Sequence, residues 1–304
     1  MHPVKIKLSV IIPTINRYND LLNTVNDLMR QNFKDFEIII IDQTDNINEK
    51  IVSQIKSNSI TNYILSNVKS ASAARNIGII ESKGDILLFL DDDVIINDKE
   101  YLSYFISNLK DTSISGIVGP IIDINTKTVR DIRHKWSHNK HWGWLFFPRN
   151  YTEECTINDG GAGNLCVRRK HTLEIGGMDE NFVKGAHREE SDFNHRYTKK
   201  FGWYLFDPRC SLIHIGRQTG GVRSWNKSVK TKAQHHFDGA FYFIFKDVKI
   251  KHYPVHLFAT LFFFFYRKEI IRRPDLAIVT FLKLIRGIFN GLILLKNGPK
   301  YITQ

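Results

Sequence analysis

Cysteine is scarce in this chain: three residues in 304, Cys155, Cys166 and Cys210, odd in number and irregularly spaced. That excludes a disulfide scaffold and a CxxC zinc ribbon, and it suits a reducing compartment. The N-terminal segment Met1-His2-Pro3-Val4-Lys5-Ile6-Lys7 lacks the apolar core of a secretory signal, so a cytoplasmic protein is expected. No GxGxxG follows the first apolar run and no GxxxxGK[ST] occurs, which removes the dinucleotide fingerprint and the P-loop. RNP, helix-turn-helix and zinc-finger patterns are also missing, and no nucleic-acid partner is expected. With 42% apolar and 24% charged residues, the chain is neither disordered nor a coiled coil throughout. Its length suffices for one large α/β domain or two modest ones.

What the chain has in excess is positive charge. Lys and Arg number 43 against 31 Asp and Glu, a formal +12, with a pI near 9.5. Such an excess predicts an anionic partner. It is concentrated, because residues 246–304 carry eleven Lys/Arg and three acids, a net +8 that leaves +4 for the first 245 residues. The same tail holds two apolar stretches, Val255–Tyr266 with its run Phe262 to Phe265, and Leu276–Leu295. The first is too short to span a bilayer and the second carries Lys283 and Arg286. On a helix, Thr280, Lys283, Arg286, Gly287, Asn290 and Gly291 fall in one wedge of roughly 140°, and Ile278, Val279, Leu282, Ile285, Ile288, Phe289, Leu292 and Leu295 cover the rest. Residues 226–304 therefore read as a basic amphipathic helical extension lying on an anionic membrane surface, peripheral on the inner face of the cell membrane. Packing of that helix on its own domain or on a second subunit, as in a homo-oligomer, is the alternative.

The N-terminal half alternates strands and helices. Leu8–Ile12, Phe36–Ile41, Tyr63–Leu65 and Ile86–Leu90 read as strands, each apolar or broken by a single polar residue, Ser9 or Glu37. Helices are expected from Asn19 or Asp20 as cap through Met29, from about Asn48 to Ser57, and over Ser70–Glu81. Continuous apolar strands in this alternation predict a mainly parallel sheet covered by helices on both faces. Ligands then bind at the carboxyl ends of the strands, which carry Pro13-Thr14, Asp42 and Asp91-Asp92-Asp93. Alternation sends Asp91 and Asp93 to one side and Asp92 to the other. Carboxylates so close need a compensating cation, and oxygen ligands of this kind suit Mg²⁺ or Mn²⁺ held together with substrate phosphates.

At this point Ser9-Val-Ile-Ile-Pro-Thr14, Ile40-Ile-Asp42, Ala73-Ala-Arg-Asn-Ile-Gly78 and Gly84-Asp-Ile-Leu-Leu-Phe-Leu-Asp-Asp-Asp93 together resemble a family-2 glycosyltransferase. The resemblance implies a GT-A-type, Rossmann-like mixed α/β fold: residues 1–225 as catalytic domain, with 1–120 the nucleotide-sugar half and 121–225 the acceptor half. It also implies inverting transfer of a sugar from a nucleoside-diphosphate sugar, UDP-linked by analogy at Asp42, with a divalent metal. Carried over, Pro13 and Thr14 line the nucleoside pocket and Asp42 meets the base. Arg75 faces the diphosphate or the base, Asp91 and Asp92 contact the nucleotide-sugar, and Asp93 with Asp91 holds the metal. A glycan or lipid-linked saccharide is the implied acceptor, in cell-surface polysaccharide synthesis.

Later motifs extend the likeness to about residue 220. Gly160-Gly-Ala-Gly-Asn-Leu-Cys-Val-Arg-Arg169 resembles the small-residue loop before the acceptor helix, where glycine permits close backbone approach. Gly176-Gly-Met-Asp-Glu-Asn-Phe182 leads to Arg188-Glu-Glu-Ser-Asp-Phe193, and the family's general base falls at Glu190. Glu replaces the family's usual Asp there, so Glu189 stays open as the base, and Asp192 adds to the crowding of acids that raises such a pKa. His214, in Leu212-Ile-His-Ile-Gly216, is either a further metal ligand or a structural histidine. Arg217-Gln-Thr-Gly-Gly-Val-Arg223 reads as a loop closing over the diphosphate, with Arg217 or Arg223 as clamp. Arg130 to Arg149, rich in His and Trp, reads as an acceptor- or membrane-facing lobe. A non-catalytic nucleotide-sugar-binding scaffold is the alternative of a different class. A sugar-phosphate nucleotidyltransferase is disfavoured, since Pro13-Thr-Ile-Asn-Arg17 is no GxGTR loop.

Overall fold

A computed structural model describes residues 7–124, 152–217, 219–221, 224 and 231–303. The His- and Trp-rich segment Arg130 to Arg149, and Arg223, lie outside the described residues. The N-terminal alternation is realised as β1 (Leu8–Thr14), α1 (Tyr18–Met29), β2 (Phe36–Asp42), α2 (Glu49–Lys56), β3 (Thr61–Leu65), α3 (Ala71–Glu81) and β4 (Ile86–Leu90). Asn48 caps α2 by accepting from the Ile51 amide, and Ser70 caps α3 by accepting from the Ala73 amide. Helix α1 starts earlier than expected, at Tyr18 behind Arg17, with no side-chain cap. Asn19 and Asp20 lie inside it, and Asp20 instead meets the Arg217 guanidinium at 2.8 Å.

There follow β5 (Val94–Ile95), α4 (Tyr101–Asn108), β6 (Gly116–Val118), β7 (Ile121–Asp123), β8 (Cys155–Ile157) and β9 (Asn164–Arg168). Helices α5 (Arg169–Glu174) and α6 (Glu189–Phe201) and strands β10 (Tyr204–Phe206) and β11 (Leu212–His214) complete the body of the protein. Eight strands form one sheet in the order β3-β2-β1-β4-β9-β6-β10-β8, and β5-β11-β7 form a second. β1, β2, β3 and β4 are parallel, while β9 runs antiparallel between β4 and β6. Leu8, Val10 and Ile12 of β1 enter one apolar cluster and Ile11 the other. The sheet is thus buried on both faces, which is why its strands read as unbroken apolar runs.

The C-terminal region is packed on this body. It comprises α7 (Gln234–Asp247), α8 (Tyr253–Phe265), α9 (Lys268–Arg272) and α10 (Asp275–Asn297). On α10 the polar wedge divides. Thr280, Lys283, Gly287, Asn290 and Gly291 face α7 and the residues leading into it: Lys283 donates to Thr231 Oγ1 at 2.9 Å, Asn290 donates to Asp238 at 3.0 Å, and Thr280 is buried, whereas Arg286 is exposed. A Cβ at Gly287 or Gly291 would lie 2.7 Å from Phe237 or 2.9 Å from the Tyr242 amide, so small residues set the helix spacing. The apolar side is left outward, with Leu282 and Phe289 each more than 60% exposed and Phe258 of α8 beside them at 69%. At 23 residues and about 34 Å, α10 is the one helix among the described residues long and apolar enough to cross a membrane by length and composition.

A buried ion cluster fastens α7 to the body. Lys246 reaches Asp179 at 2.7 Å and also Asp192 of α6, both carboxylates fully buried. Asp192 also takes Arg196 at 2.8 Å. Residues 300–302 then fold back on the Gly176–Glu180 turn: the Lys300 amide donates to Asp179, the Glu180 amide to the Lys300 carbonyl, and the Ile302 amide to the Gly176 carbonyl. Removing one member of a buried ionic group strands the others, at a cost of about 3–5 kcal/mol. Lys246→Met should lose that much stability in urea denaturation. A midpoint unchanged from the parent protein would show that the cluster does not hold α7 in place.

Candidate functional site

Strand β4 delivers its three aspartates to the crevice at the carboxyl edge of the sheet. Asp92 points into the protein, accepting from Thr14 Oγ1 at 2.7 Å and from Arg17 at 2.9 Å. It was expected beside the nucleotide, yet its side chain is nearly inaccessible because adjacent side chains on an extended segment alternate. Asp93 meets Arg17 at 3.0 Å and lies 3.3 Å from His214 Nε2. His214 comes from β11, whose register sets it opposite Val94, the residue after Asp93. Its Nδ1 is 2.9 Å from Asp123 Oδ1 at the end of β7, the arrangement that orients a ligating imidazole.

The charges respond to this crowding. The hydrogen bond to Asp93 raises the His214 pKa to about 9 against the effect of burial. Burial pushes Asp93 upward, but His214 and Arg17 more than offset it and hold the carboxyl below its ordinary range. Asp92, without such help from a histidine, is pushed up to about 7 by burial, with Arg17 opposing. Asp91, Asp93 and His214 each present a ligand atom, all within 4.8 Å of one another. Asp93 Oδ1 is buried with no well-formed hydrogen bond among the described residues. Two carboxylates and an imidazole fit a hard divalent cation, Mg²⁺ or Mn²⁺, the imidazole favouring Mn²⁺.

At the end of β2, Asp42 is fully buried and already filled: the Thr44 amide donates to Oδ1 at 2.8 Å, and the hydroxyls of Tyr18 (2.8 Å) and Tyr63 donate to Oδ2. Beside it a cavity of about 390 Å³ is lined by Asn16, Tyr18, Thr44, Asn46, Asn48 and Ile51, among others. Pro13 lies in β1 opposite Ile41, and Thr14 is turned to Asp92.

The acids of α6 separate. Glu189 is buried against Arg75 at 3.1 Å, with Ser72 at 3.4 Å. Burial, opposed by Arg75, raises its pKa to about 7. Glu190 accepts from the Ala162 amide at 2.8 Å, with Arg75 3.9 Å away. Arg75, read from the sequence as facing the diphosphate or base, is instead buried between these two glutamates. Asp192 is turned to Lys246 and Arg196, away from the glutamates. Arg217 pairs with Asp20 through its side chain, and its amide donates to Asp93 at 3.3 Å. Gly220 and Gly221 lie directly on the Arg17 side chain.

One loop joins the two clusters. Gly163 has no room for a side chain, since a Cβ there would lie 2.3 Å from Asp91 Oδ2, while its neighbour Ala162 holds Glu190. The metal-type triad and Glu190 therefore contact adjacent residues of one loop. Sequence reading assigned no role to Arg17, Asp123 or Asp159. Asp123 had a signal, because Ile121-Ile-Asp123 repeats the apolar strand end of Ile40-Ile-Asp42. Asp159 anchors the loop to α6 through Asn194 at 2.7 Å and Ser191 at 3.4 Å.

The family model described as glycosyl transferase family 2 matches residues 9–176, more than half of the chain, and the chain belongs to that family. An uncharacterized glycosyltransferase of Rickettsia felis is 40% identical over 96 residues, which is 31% of this chain and 16% of that protein. The match thus spans about a sixth of that relative's length. Among solved structures, Staphylococcus aureus TarS 1-349 superposes with a TM-score of 0.61 at 14% identity, covering 93% of this chain and 81% of that one. GalNAc-T7 with UDP, GalNAc and Mn²⁺ gives 0.59 at 19% identity, over 79% and 47%. At these identities the likeness establishes the fold, the GT-A arrangement expected from the motifs.

Asp159 also supplies a pH test. Burial raises its carboxyl to about 7, whereas an unfolded Asp titrates at about 4. Between those values folding takes up a proton, so stability falls as pH rises through the window. Asp159→Asn should flatten that fall by an amount on the order of a few kcal/mol, leaving a residual slope from Glu189 and Asp92. Thermal melts from pH 4 to 8 measure it, and parallel curves for the two proteins would contradict a buried, protonated Asp159.

Proposed function

We propose that this protein is an inverting glycosyltransferase that moves a sugar from a nucleoside-diphosphate donor, UDP-linked, to a hydroxyl of a glycan or lipid-linked saccharide in cell-surface polysaccharide synthesis. The observation that carries the reading is the loop in which Gly163 abuts Asp91 and Ala162 holds Glu190. It puts a diphosphate-side cluster and a proton acceptor on two sides of one small space.

In the single displacement, the acceptor oxygen bonds to the anomeric carbon as the bond from that carbon to the diphosphate breaks. The hydroxyl proton passes to Glu190. The Ala162 amide fixes the Glu190 carboxylate, and the partly exposed side chain leaves it reachable by an acceptor. Glu189, its pKa raised to about 7 by burial, shares Arg75 with Glu190. Asp91, Asp93 and His214 would hold the divalent cation, with Asp123 orienting His214. The cation would stabilise the negative charge on the departing diphosphate. The cavity beside Asp42 has the position and size for the nucleoside, with Tyr18 in its wall.

Glu190→Gln should lower turnover by about 10²–10⁴-fold while leaving Mn²⁺-dependent UDP binding intact; Asp93→Ala should weaken that binding itself. Release of nucleoside diphosphate and calorimetry read the two effects. Undiminished turnover in Glu190→Gln would remove the proton-acceptor role.

The exposed apolar side of α8 and α10, flanked by Arg267, Lys268, Arg272 and Arg273, supports peripheral attachment to an anionic membrane surface. With one side of α10 held along α7, the helix lies on the body with its other side open. Phe258→Asp combined with Phe289→Asp alters only exposed positions and should abolish flotation with phosphatidylglycerol vesicles. Flotation equal to the parent protein, or a concentration-dependent dimer lost in the same variant, would replace the membrane by another partner.

A further inference from the structure

A second cavity, of about 520 Å³, lies between the end of α6 and the turn joining α7 to α8, apart from the residues described at the strand ends. Lys199 from the last turns of α6 lines it together with Lys249 and Lys251 from the α7–α8 turn, and His195, His252 and Trp203 complete much of the wall. Elements some fifty residues apart in sequence thus bring three ammonium groups to one concavity. Among the described residues, none of these lysines is paired with a carboxylate. Asp247 also lines the space. Burial, and then the charge of Asp192, push its carboxyl up to about 8, so near neutral pH it offsets little of that charge. His256, in the first turn of α8, opens on the same cavity. Trp203, half exposed at 51%, offers a flat ring at the wall, suited to the apolar face of a sugar.

We propose that this cavity binds a phosphoryl group carried by a saccharide, as a sugar phosphate or sugar phosphodiester, at a place separate from the donor site. Lysines supply point charges for such a group, and the indole supplies a surface for the ring that bears it. Lys199 lies nine residues beyond Glu190 on the same helix, about 13 Å along its axis and on the opposite face. Asn158, in the cavity wall, is four residues before Ala162, whose amide holds Glu190. The binding claim does not depend on the transfer reading.

The test uses the full chain with EDTA present, which silences metal-dependent donor binding. Calorimetry with glucose 1-phosphate, against neutral glucose, reads a soluble source. Sedimentation with phosphatidylcholine vesicles, with and without phosphatidic acid, reads a lipid-borne one. The triple variant Lys199→Glu, Lys249→Glu, Lys251→Glu changes only exposed side chains, and its UDP affinity with Mn²⁺ controls for the fold and the donor site. Expected is preference for glucose 1-phosphate over glucose, weakened at least about tenfold in the variant, with UDP affinity unchanged. Loss of the phosphatidic-acid increment alone would assign the phosphate to a lipid. Equal behaviour of parent and variant toward both probes, or displacement of glucose 1-phosphate by UDP with Mn²⁺, would overturn the site. A protein that binds the sugar phosphate but turns over no donor would sink the transfer reading and leave this site standing.

Discussion

Three consecutive carboxylates at the mouth of an apolar strand repel one another, and much of the surrounding structure serves to offset that repulsion. Asp92 is withdrawn to Thr14 and Arg17. Asp93 is flanked by Arg17 and His214. The small second sheet follows from the same need: β5 begins directly after Asp93 and pairs with β11, which sets His214 beside it, and β7 brings Asp123 to the far side of the ring. Arg17 in turn fixes the glycine turn at 220–221, which lies on its side chain. A cation in this space thus meets ligands that are already fixed in place.

The glutamates of α6 pose the same problem with a different solution. Here the offsetting charge is a buried arginine from α3, between β3 and β4, shared between Glu189 and Glu190. A residue read as a donor contact therefore couples the N-terminal strand-and-helix alternation to α6. The loop from Asp159 to Gly163 closes the gap between the charge systems using backbone and one absent side chain.

Much of the fold was legible because a two-sided parallel sheet writes itself as unbroken apolar runs, as in Ile38–Ile41 and Ile86–Leu90, and because Ser70 and Asn48 are strong helix starts. The acids at the strand ends were legible for the same reason, since nothing apolar explains them. Arg17, Asp123 and Lys246 were not. Each works through a partner 75 or more, 91, or 54 and 67 positions away in sequence, and spacing along a chain carries no record of such pairings. Which face of α10 packs was not legible for a related reason. Periodicity finds two faces, but which one packs depends on the partner, and the aromatic surface of α7 selects the stripe of Gly287 and Gly291 that lets the backbones approach. The polar side chains on that stripe find hydrogen bonds across the contact.

The return of residues 300–302 to the Gly176–Glu180 turn has a kinetic meaning. Asp179 receives a backbone amide from a residue 121 positions later, and the same carboxylate group takes Lys246 from α7. During synthesis the turn that leads into Glu189 and Glu190 is exposed long before its closing partners exist. The sheet can assemble early from near-neighbour strands, but this corner of the acid-bearing helix acquires its native support only after α7 and the stretch past α10 have emerged. A ribosome-bound chain would therefore hold a formed N-terminal sheet beside an unfinished α6 corner.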